Sequence, residues 1–187
     1  IPWILELLDA YKRGLAERKI NLDDDFIKFI RFAQYLLDAS GMGILGFITN
    51  NTYLDGVTHR QMRESLLRAF SWVGIVDLHG SVMKADTCPD GSPDENVFDI
   101  KQGVSVGLFC RTVGGAQNSL LHYDMWGTRS AKYSVLSTAA PRSMVWQALP
   151  ATKPTFFFVP KSLRLAEEYE DWPSIATVFR EFVSGIQ

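Results

Sequence analysis

Residues 44–78 read ILGFITNNTYLDGVTHRQMRESLLRAFSWVGIVDL, and this stretch decides the fold class. The run 44–49 is short and apolar and ends at two asparagines, which is typical of a strand buried on both faces of a parallel sheet. Residues 58–70 carry apolar side chains at helical spacing, and 73–78 form a second apolar run. This order of strand, helix and strand predicts an α/β fold with a parallel sheet.

Two further helices are predicted ahead of this unit. Residues 3–18 combine strong helix formers with apolar residues at helical spacing. Another helix is predicted directly after Asp23–Asp25, because acidic residues are favourable at a helix N-terminus. The alternative interpretation of these three aspartates is a magnesium or acid–base cluster. Gly41 and Gly43 end this helix. Its apolar period predicts one buried stripe, made of Phe26, Phe29, Ile30, Ala33, Leu36 and Leu37.

The chain becomes polar after residue 78. Residues 79–97 are rich in Gly, Pro and Asp, which predicts a long and mobile loop. A third strand is predicted at 104–112, and Gly114-Gly115 predicts a hairpin to 119–125, so that the third strand leaves the parallel pattern. The remaining predictions are a short helix at 128–137, a strand or extended segment at 155–160, and helices at 162–170 and 173–183.

The composition describes a globular chain without a strong charge bias. Its 187 residues are 47% hydrophobic and carry a net charge of −2, so the overall basic character of many nucleic-acid-binding proteins is missing. Cys88 and Cys110 lack metal-ligand spacing and are interpreted as free thiols of a cytoplasmic protein. The three histidines are scattered, so no metal site is predicted. No apolar run reaches the roughly 18 residues that a membrane span needs.

Two groups of polar residues near the predicted sheet are candidates for ligand contacts. Asn50, Asn51 and Thr52 follow the first strand, and ligands of open α/β sheets bind beyond the carboxyl ends of strands. Local capping of the turn is the alternative for all three. Arg60 and Arg63 are predicted to face outward from the helix at 58–70. They indicate either contacts to the DNA backbone or a solvated helix face.

Phe98 lies in a polar loop directly before the third predicted strand. Aromatic faces stack on bases that have been taken out of a duplex, and such stacking contributes roughly 1–3 kcal/mol per base. The alternative is that the ring packs the loop against the rest of the domain.

Four stretches in order resemble adenine-specific (N6) DNA methyltransferases, and most closely that region of single-polypeptide restriction–modification enzymes of the type ISP and type IIG kinds. They are residues 23–67, which include ITNNTYLDGVTHRQMR at 48–63, then VGIVDLHG at 73–80, DENVFDIKQGVSVGLF at 94–109 and FFFVP at 156–160. The resemblance implies a Rossmann-like methyltransferase sheet with a terminal antiparallel strand, of which this chain is a part. It implies the C-terminal half of the catalytic domain over 1–127 and an extension toward the target-recognition domain over 128–187.

The same resemblance implies a reaction and assigns residues to it. Members of the family transfer a methyl group from S-adenosylmethionine to the amino group of an adenine flipped out of double-stranded DNA. Phe98 matches the aromatic residue that stacks on the flipped adenine, and Asn50, Asn51 and Thr52 lie in the half of the sheet that holds the target base. Phe29 matches a position that borders the adenine of the cofactor.

The sequence departs from the family at its catalytic loop. Neither Asn-Pro-Pro-Tyr nor Asp-Pro-Pro-Tyr occurs, and the Gly-containing cofactor loop is also missing. We expect both upstream of Ile1, so no catalytic residue is assigned, and the chain alone is expected to be inactive and to bind S-adenosylmethionine weakly. Nuclease, translocase and recognition domains of the same polypeptide are the implied partners.

Two other functions remain open on the sequence. One is a non-catalytic α/β module that mediates protein contacts through the helices at 162–183. The other is an unrelated Rossmann-like nucleotide binder.

Overall fold

A computed structural model describes residues 2–17, 20, 22–114, 119–165, 168, 171–173 and 175–178. Half of the residues in the two helices predicted at 162–170 and 173–183 lie outside the described residues. Of those that are described, 162–165 are not helical, whereas Ile175–Val178 form a helix. The helices are α1 (Pro2–Lys12), α2 (Asp25–Ser40), α3 (Thr52–Asp55), α4 (Arg60–Ala69), α5 (Arg129–Thr138) and α6 (Ile175–Val178), with 3₁₀ turns at Val57–His59 and Pro141–Ser143. The strands are β1 (Gly43–Asn50), β2 (Trp72–His79), β3 (Val104–Arg111), β4 (Ser119–Asp124) and β5 (Gln147–Ala148).

The five strands form one sheet in the order β1-β3-β2-β4-β5. Strand β3 runs antiparallel to β1 on one side and antiparallel to β2 on the other, so β1 and β2 are parallel to each other. The prediction that 44–49, 73–78 and 104–112 share a sheet with an antiparallel third strand is therefore confirmed. The chain is a mixed α/β structure with an open sheet.

The hairpin predicted between the third strand and residues 119–125 is wrong. Strand β4 does not pair with β3 but lies parallel to β2, with Trp72 opposite Ser119 and Asp77 opposite Asp124. The reason is that β3 already hydrogen-bonds on both of its sides, so the next strand must join the sheet elsewhere.

The core lies on both faces of β2. Val73 and Ile75 point into a large cluster with the helices, whereas Val76 and Leu78 point into a smaller cluster on the opposite face. Burial on both faces, as predicted for this strand, is confirmed. The larger cluster contains Leu8, Tyr11, Ile27, Ile30, Leu66, Phe70 and Phe109, and the smaller one contains Val97, Val104 and Met125.

Burial of the first strand on both faces is a wrong prediction. Alternate residues of β1 are open to solvent, and Ile44 is 76% exposed. Within the described residues β1 pairs only with β3 and lies at the edge of the sheet. An apolar run therefore showed that this segment is a strand but not how much of it is covered.

The buried stripe of α2 differs from the predicted one. Its buried residues are Ile27, Ile30 and Gln34, whereas Phe29 is 59% exposed and Leu36 is also exposed. The buried amide of Gln34 is satisfied, because its oxygen accepts from the Tyr11 hydroxyl at 2.7 Å and its nitrogen donates to Ser65 at 3.1 Å. The helix is apolar around much of its circumference, so the apolar period did not reveal which face meets α1 and α4.

Arg63 is a correction to the predicted outward face of α4, because its side chain is completely buried. Its guanidinium donates hydrogen bonds at 2.6–3.0 Å to four backbone carbonyl oxygens, those of Tyr53, Gly56, Thr155 and Phe156. Burial lowers the pKa of Arg63 to about 10, which still leaves it charged at neutral pH. Arg63 thus fastens the segment near 155 to the α3–α4 connection.

The segment 155–160 was predicted as a strand or an extended segment, and it is irregular. Phe156 and Phe158 are buried in the large core cluster, and the Phe158 amide donates a hydrogen bond to the Leu54 carbonyl at 2.9 Å. No helix within the described part of the chain has the length and apolar character needed to cross a membrane.

Replacing Arg63 by leucine is expected to lower the free energy of unfolding by about 3 kcal/mol or more, because several buried carbonyls would lose their donors. Arg68→Leu is the matched control on the same helix. Arg68 is exposed and paired with Glu64, so its loss should change stability by about 0.5 kcal/mol or less. Equal denaturation midpoints for the two variants would contradict the buried role of Arg63.

His59 is expected to make the protein less stable as the pH falls from 7 to 5. Burial, and next the charge of Arg63, lower the pKa of His59 to about 4. Because the unfolded chain then binds more protons than the folded one below about pH 6.5, stability is lost on acidification, by about 2 kcal/mol over this range. His59→Leu should remove that part of the pH dependence of urea denaturation, and an unchanged dependence would contradict it.

Candidate functional site

The register of the sheet brings the two predicted groups of substrate-binding residues to one edge. Because β3 is antiparallel to its neighbours, its first residue, Val104, lies opposite both Asn50 and His79, the last residues of β1 and β2. The loop that carries Phe98 therefore meets the carboxyl ends of the two parallel strands. The substrate-binding candidates Asn50, Asn51, Thr52 and Phe98 share this edge.

Phe98 is half-exposed, with 44% of its surface open to solvent. Together with Ile100 and Arg129 it lines an open cavity of about 920 Å³ beside the loop. The neighbouring residue Val97 is buried in the smaller core cluster and fixes the loop beneath the ring. A partly exposed aromatic residue therefore lines an open cavity large enough for a base.

Asn96 organises the loop around Phe98. Its side-chain nitrogen lies 2.6 Å from the carbonyl oxygen of Gln102 and 3.0 Å from that of Gly80, and its side-chain oxygen accepts from the Phe98 amide at 2.9 Å. Gly80 has a φ of +77°, and a Cβ atom there would lie 2.4 Å from the Asn96 Cα, so only glycine fits. The sequence predicted a mobile loop but not these anchors.

Asn50, Asn51 and Thr52 are bonded to one another and to the sheet. The Asn50 side-chain oxygen accepts from the Thr52 hydroxyl at 2.6 Å, which is a local turn contact. Asn51 is buried, and its amide donates to Asp77 at 3.0 Å while its backbone N–H donates to Gly103. Asp77 also accepts from the backbone N–H of His79 at 3.0 Å. These bonds fix the strand ends beside the Phe98 loop.

The remaining predicted site residues lie away from this edge. Phe29 is on the exposed surface of α2, with its ring 6.3 Å from that of Phe47 in the middle of β1. Arg60 forms an ion pair with Glu17 and also donates to the Val57 carbonyl at 3.0 Å. Arg63 is buried, as described above, and is not available to the DNA backbone.

The structure adds a cluster that the sequence did not predict, at the ends of β2 and β4. The Nε2 atoms of His79 and His122 lie 2.7 and 3.1 Å from the same carboxylate oxygen of Asp124. The His79 ring stacks on Trp126, with a centroid distance of 3.3 Å. Burial alone would raise the pKa of Asp124, but the hydrogen bonds with His122 and His79 outweigh it and hold that pKa well below its usual range.

These histidines looked scattered because the predicted hairpin placed residues 119–125 next to the wrong strand. Polar residues at the ends of both segments, in DLHG at 77–80 and LHYDMW at 121–126, were the available signal. Among the described residues no group of three or more His, Cys, Asp and Glu side chains is arranged to hold a metal ion.

Comparison with solved structures identifies the same fold in much longer chains. A DrdV–DNA complex solved by cryo-EM matches 90% of this chain at 22% identity, with a TM-score of 0.73. The ATP-dependent Type ISP restriction–modification enzyme LlaBIII bound to DNA matches 89% at 21% identity, with a TM-score of 0.69. A nuclease-deletion mutant of the Type ISP enzyme LlaGI, in complex with a DNA substrate mimic, matches 89% at 18% identity, with a TM-score of 0.74.

At these identities the likeness shows a shared fold. The matched region is a small part of each structure, since this chain covers 16%, 11% and 16% of the three chains. No protein-family model and no curated protein matches the sequence.

Replacing Asn96 by aspartate is expected to loosen the Phe98 loop without unfolding the sheet. The carboxylate keeps the size of the side chain but loses its donors and faces backbone carbonyl oxygens. Amide hydrogen exchange over residues 80–102 should become about tenfold faster, while β1 and α4 keep their rates. Ser92→Ala, which removes only the local hydrogen bond that the Ser92 hydroxyl donates to Asp90 in the same loop, is the control. Equal rates in both variants would contradict the role of Asn96.

Proposed function

We propose that this chain is the target-base half of a DNA adenine-N6 methyltransferase that belongs to a restriction–modification enzyme. The observation that carries the proposal is the half-exposed Phe98 ring, held at the carboxyl edge of β1 and β2 beside an open cavity. The fold shared with three structures solved in complex with DNA, two of them Type ISP restriction–modification enzymes, supports it. The resemblance of the stretches at 48–63, 73–80 and 94–109 to this class of methyltransferase also supports it.

In this proposal Phe98 offers a flat face on which a flipped adenine stacks. Stacking suits the position because the ring is exposed while its backbone is fixed through Asn96 and Val97. Asn50 and Thr52 lie half-buried at the same edge, where polar groups can contact the base or its sugar. Asn51 supports them from below through its bond to Asp77.

S-adenosylmethionine would supply the methyl group, and Phe29 is the residue of this chain that we assign to it. An exposed aromatic ring fits a contact with the adenine moiety of such a cofactor. Lys28, which lies beside Phe29, is paired with Asp25 at 2.9 Å, and no contact with the cofactor is assigned to it.

We propose double-stranded DNA as the substrate, and the nuclease, translocase and recognition domains of the same polypeptide as partners. Arg60 is retained as a candidate contact to the DNA backbone, although it would have to exchange its ion pair with Glu17 for a phosphate. No DNA contact is proposed for Arg63.

A second candidate function is a non-catalytic protein-interaction module. It is favoured by the exposed apolar side chains on α2 and β1, among them Phe32, Ile44 and Ile48. About half of the residues in the helices at 162–183 that first suggested it lie outside the described residues. The two candidates differ in one measurement, since only the first requires transfer of a labelled methyl group to DNA.

The proposal is tested on the full polypeptide to which the chain belongs, with tritiated S-adenosylmethionine and duplex DNA. Phe98→Ala should lower kcat/KM for methylation by about ten- to a hundredfold, because stacking is worth roughly 1–3 kcal/mol. Phe98→Trp should keep much of the activity, since the role needs a flat ring.

Tyr35→Ala is the control, because it removes another exposed aromatic ring, which lies on α2 and lines neither the cavity beside Phe98 nor the surface pocket around Phe29. Absence of methyl transfer by the unmodified polypeptide would reject the proposed function. A well-folded Phe98→Ala enzyme with unchanged activity would reject the stacking role alone.

A further inference from the structure

Helix α5 holds the part of the loop that carries Phe98. Six consecutive residues, 94–99, each make a hydrogen bond or an ion pair with α5 or with the turn that leads into it. The three side chains of α5 that take part are Arg129, Lys132 and Tyr133. Their spacing of three and four residues places them on one face of the helix.

Lys132 is the innermost of these three contacts. Its side chain is 0% exposed, and its ammonium group lies 2.7 Å from the Asp94 carboxylate, which is also 0% exposed. The same ammonium donates to the carbonyl oxygens of Leu78 and Glu95, each at 2.7 Å. All three donors of the ammonium are therefore used. Because Leu78 belongs to β2, Lys132 joins the loop directly to the sheet.

Arg129 and Tyr133 hold the backbone on either side of the Phe98 ring. Arg129 donates to the Asn96 carbonyl at 2.7 Å and to the Phe98 carbonyl at 3.2 Å, and it pairs with Asp99 at 2.8 Å. The Tyr133 hydroxyl donates to the Val97 carbonyl at 2.5 Å. Carbonyls that would otherwise be unpaired in an irregular loop are thus fixed. The aromatic ring of Phe98 is left as the exposed part.

We infer that α5 is the positioning element of the Phe98 ring, and that Lys132, Arg129 and Tyr133 are positioning residues that hold the ring in its stacking place before a base arrives. The inference rests on the proposed function, because the base is the adenine of that reaction. Because the backbone that carries the ring is already fixed, the loop loses little conformational freedom when the ring stacks on a base. The geometry therefore favours binding of the flipped base and its alignment for methyl transfer.

The first experiment compares two tyrosines that each lose one hydroxyl. Tyr133→Phe removes only the hydrogen bond to the Val97 carbonyl. Tyr11→Phe is the control, because it removes a buried hydrogen bond to Gln34 in the large core cluster, and none of the described residues of the loop belongs to that cluster. Once the methylated adenine has been mapped, a duplex with 2-aminopurine at that position reports stacking, because emission of the flipped base is quenched by the ring. Phe98→Ala gives the emission of an unstacked flipped base.

With the full polypeptide, Tyr133→Phe should raise 2-aminopurine emission part of the way toward that of Phe98→Ala. It should also lower kcat about fivefold, as expected from one lost hydrogen bond, and leave the KM for S-adenosylmethionine unchanged. Tyr11→Phe should lower the melting temperature but keep wild-type emission and kcat. Wild-type emission and kcat in Tyr133→Phe would overturn the inference while the proposed function stands.

Lys132 needs a paired variant, because Lys132→Met alone would leave the Asp94 carboxylate buried without a partner. Lys132→Met with Asp94→Asn removes both charges and keeps an acceptor for the Gly127 amide, which now donates to Asp94 at 2.8 Å. This double variant should raise 2-aminopurine emission at least as much as Tyr133→Phe does.

Amide hydrogen exchange without DNA tests the hold of α5 on the loop independently of methylation. Exchange over residues 94–99 should be faster in Tyr133→Phe and in the double variant, and unchanged in Tyr11→Phe. If the unmodified polypeptide transfers no methyl group, the proposed function fails and exchange alone decides whether α5 positions the loop. Unchanged exchange in both loop variants would overturn the inference.

Discussion

Strand β3 satisfies the backbone hydrogen bonds of two strands at once, because it lies antiparallel between β1 and β2. A strand parallel to β2 in the place of β3 would need a crossover connection back to the opposite edge of the sheet. An antiparallel strand can instead begin at the edge where β1 and β2 end. The connection from β2 to β3 must therefore begin and finish at the same edge. That constraint places the loop of residues 80–103 across the carboxyl ends of β1 and β2, and it sends β4 to the far side of β2.

Two buried cations then attach irregular segments to this sheet. Arg63 supplies donors to carbonyls near residue 155, and Lys132 supplies donors to carbonyls at Leu78 and Glu95. Irregular backbone that is buried needs partners for its polar groups, and a side chain with several donors can satisfy more than one carbonyl. Both contacts contribute to stability, because a buried charge is stabilised only while its hydrogen-bonding partners stay in place.

The candidate site follows from the same arrangement. Phe98 is exposed while the residues around it are held by Asn96 from within the loop and by α5 from outside it. Directly after β1, the Asn51 side chain is bonded to Asp77 of β2, and the Asn51 backbone N–H is bonded to Gly103. This combination of a fixed backbone and an exposed flat ring suits recognition of a base better than simple packing of a loop, and it underlies the methyltransferase proposal.

The sequence by itself determined the type and the order of the main elements. The apolar run at 73–78, the amphipathic pattern at 58–70 and the alternation at 104–109 are local signals, and local signals specify helices and strands. The sequence also singled out Phe98, because a lone aromatic residue in a polar loop is unusual and its surroundings resemble a known family. Tertiary structure decided which faces are covered and which strands are neighbours. Examples are the burial of Arg63, the exposure of Phe29 and the contact of His79 and His122 with Asp124. Local sequence signals could not specify these outcomes, because each depends on residues that are distant in the chain.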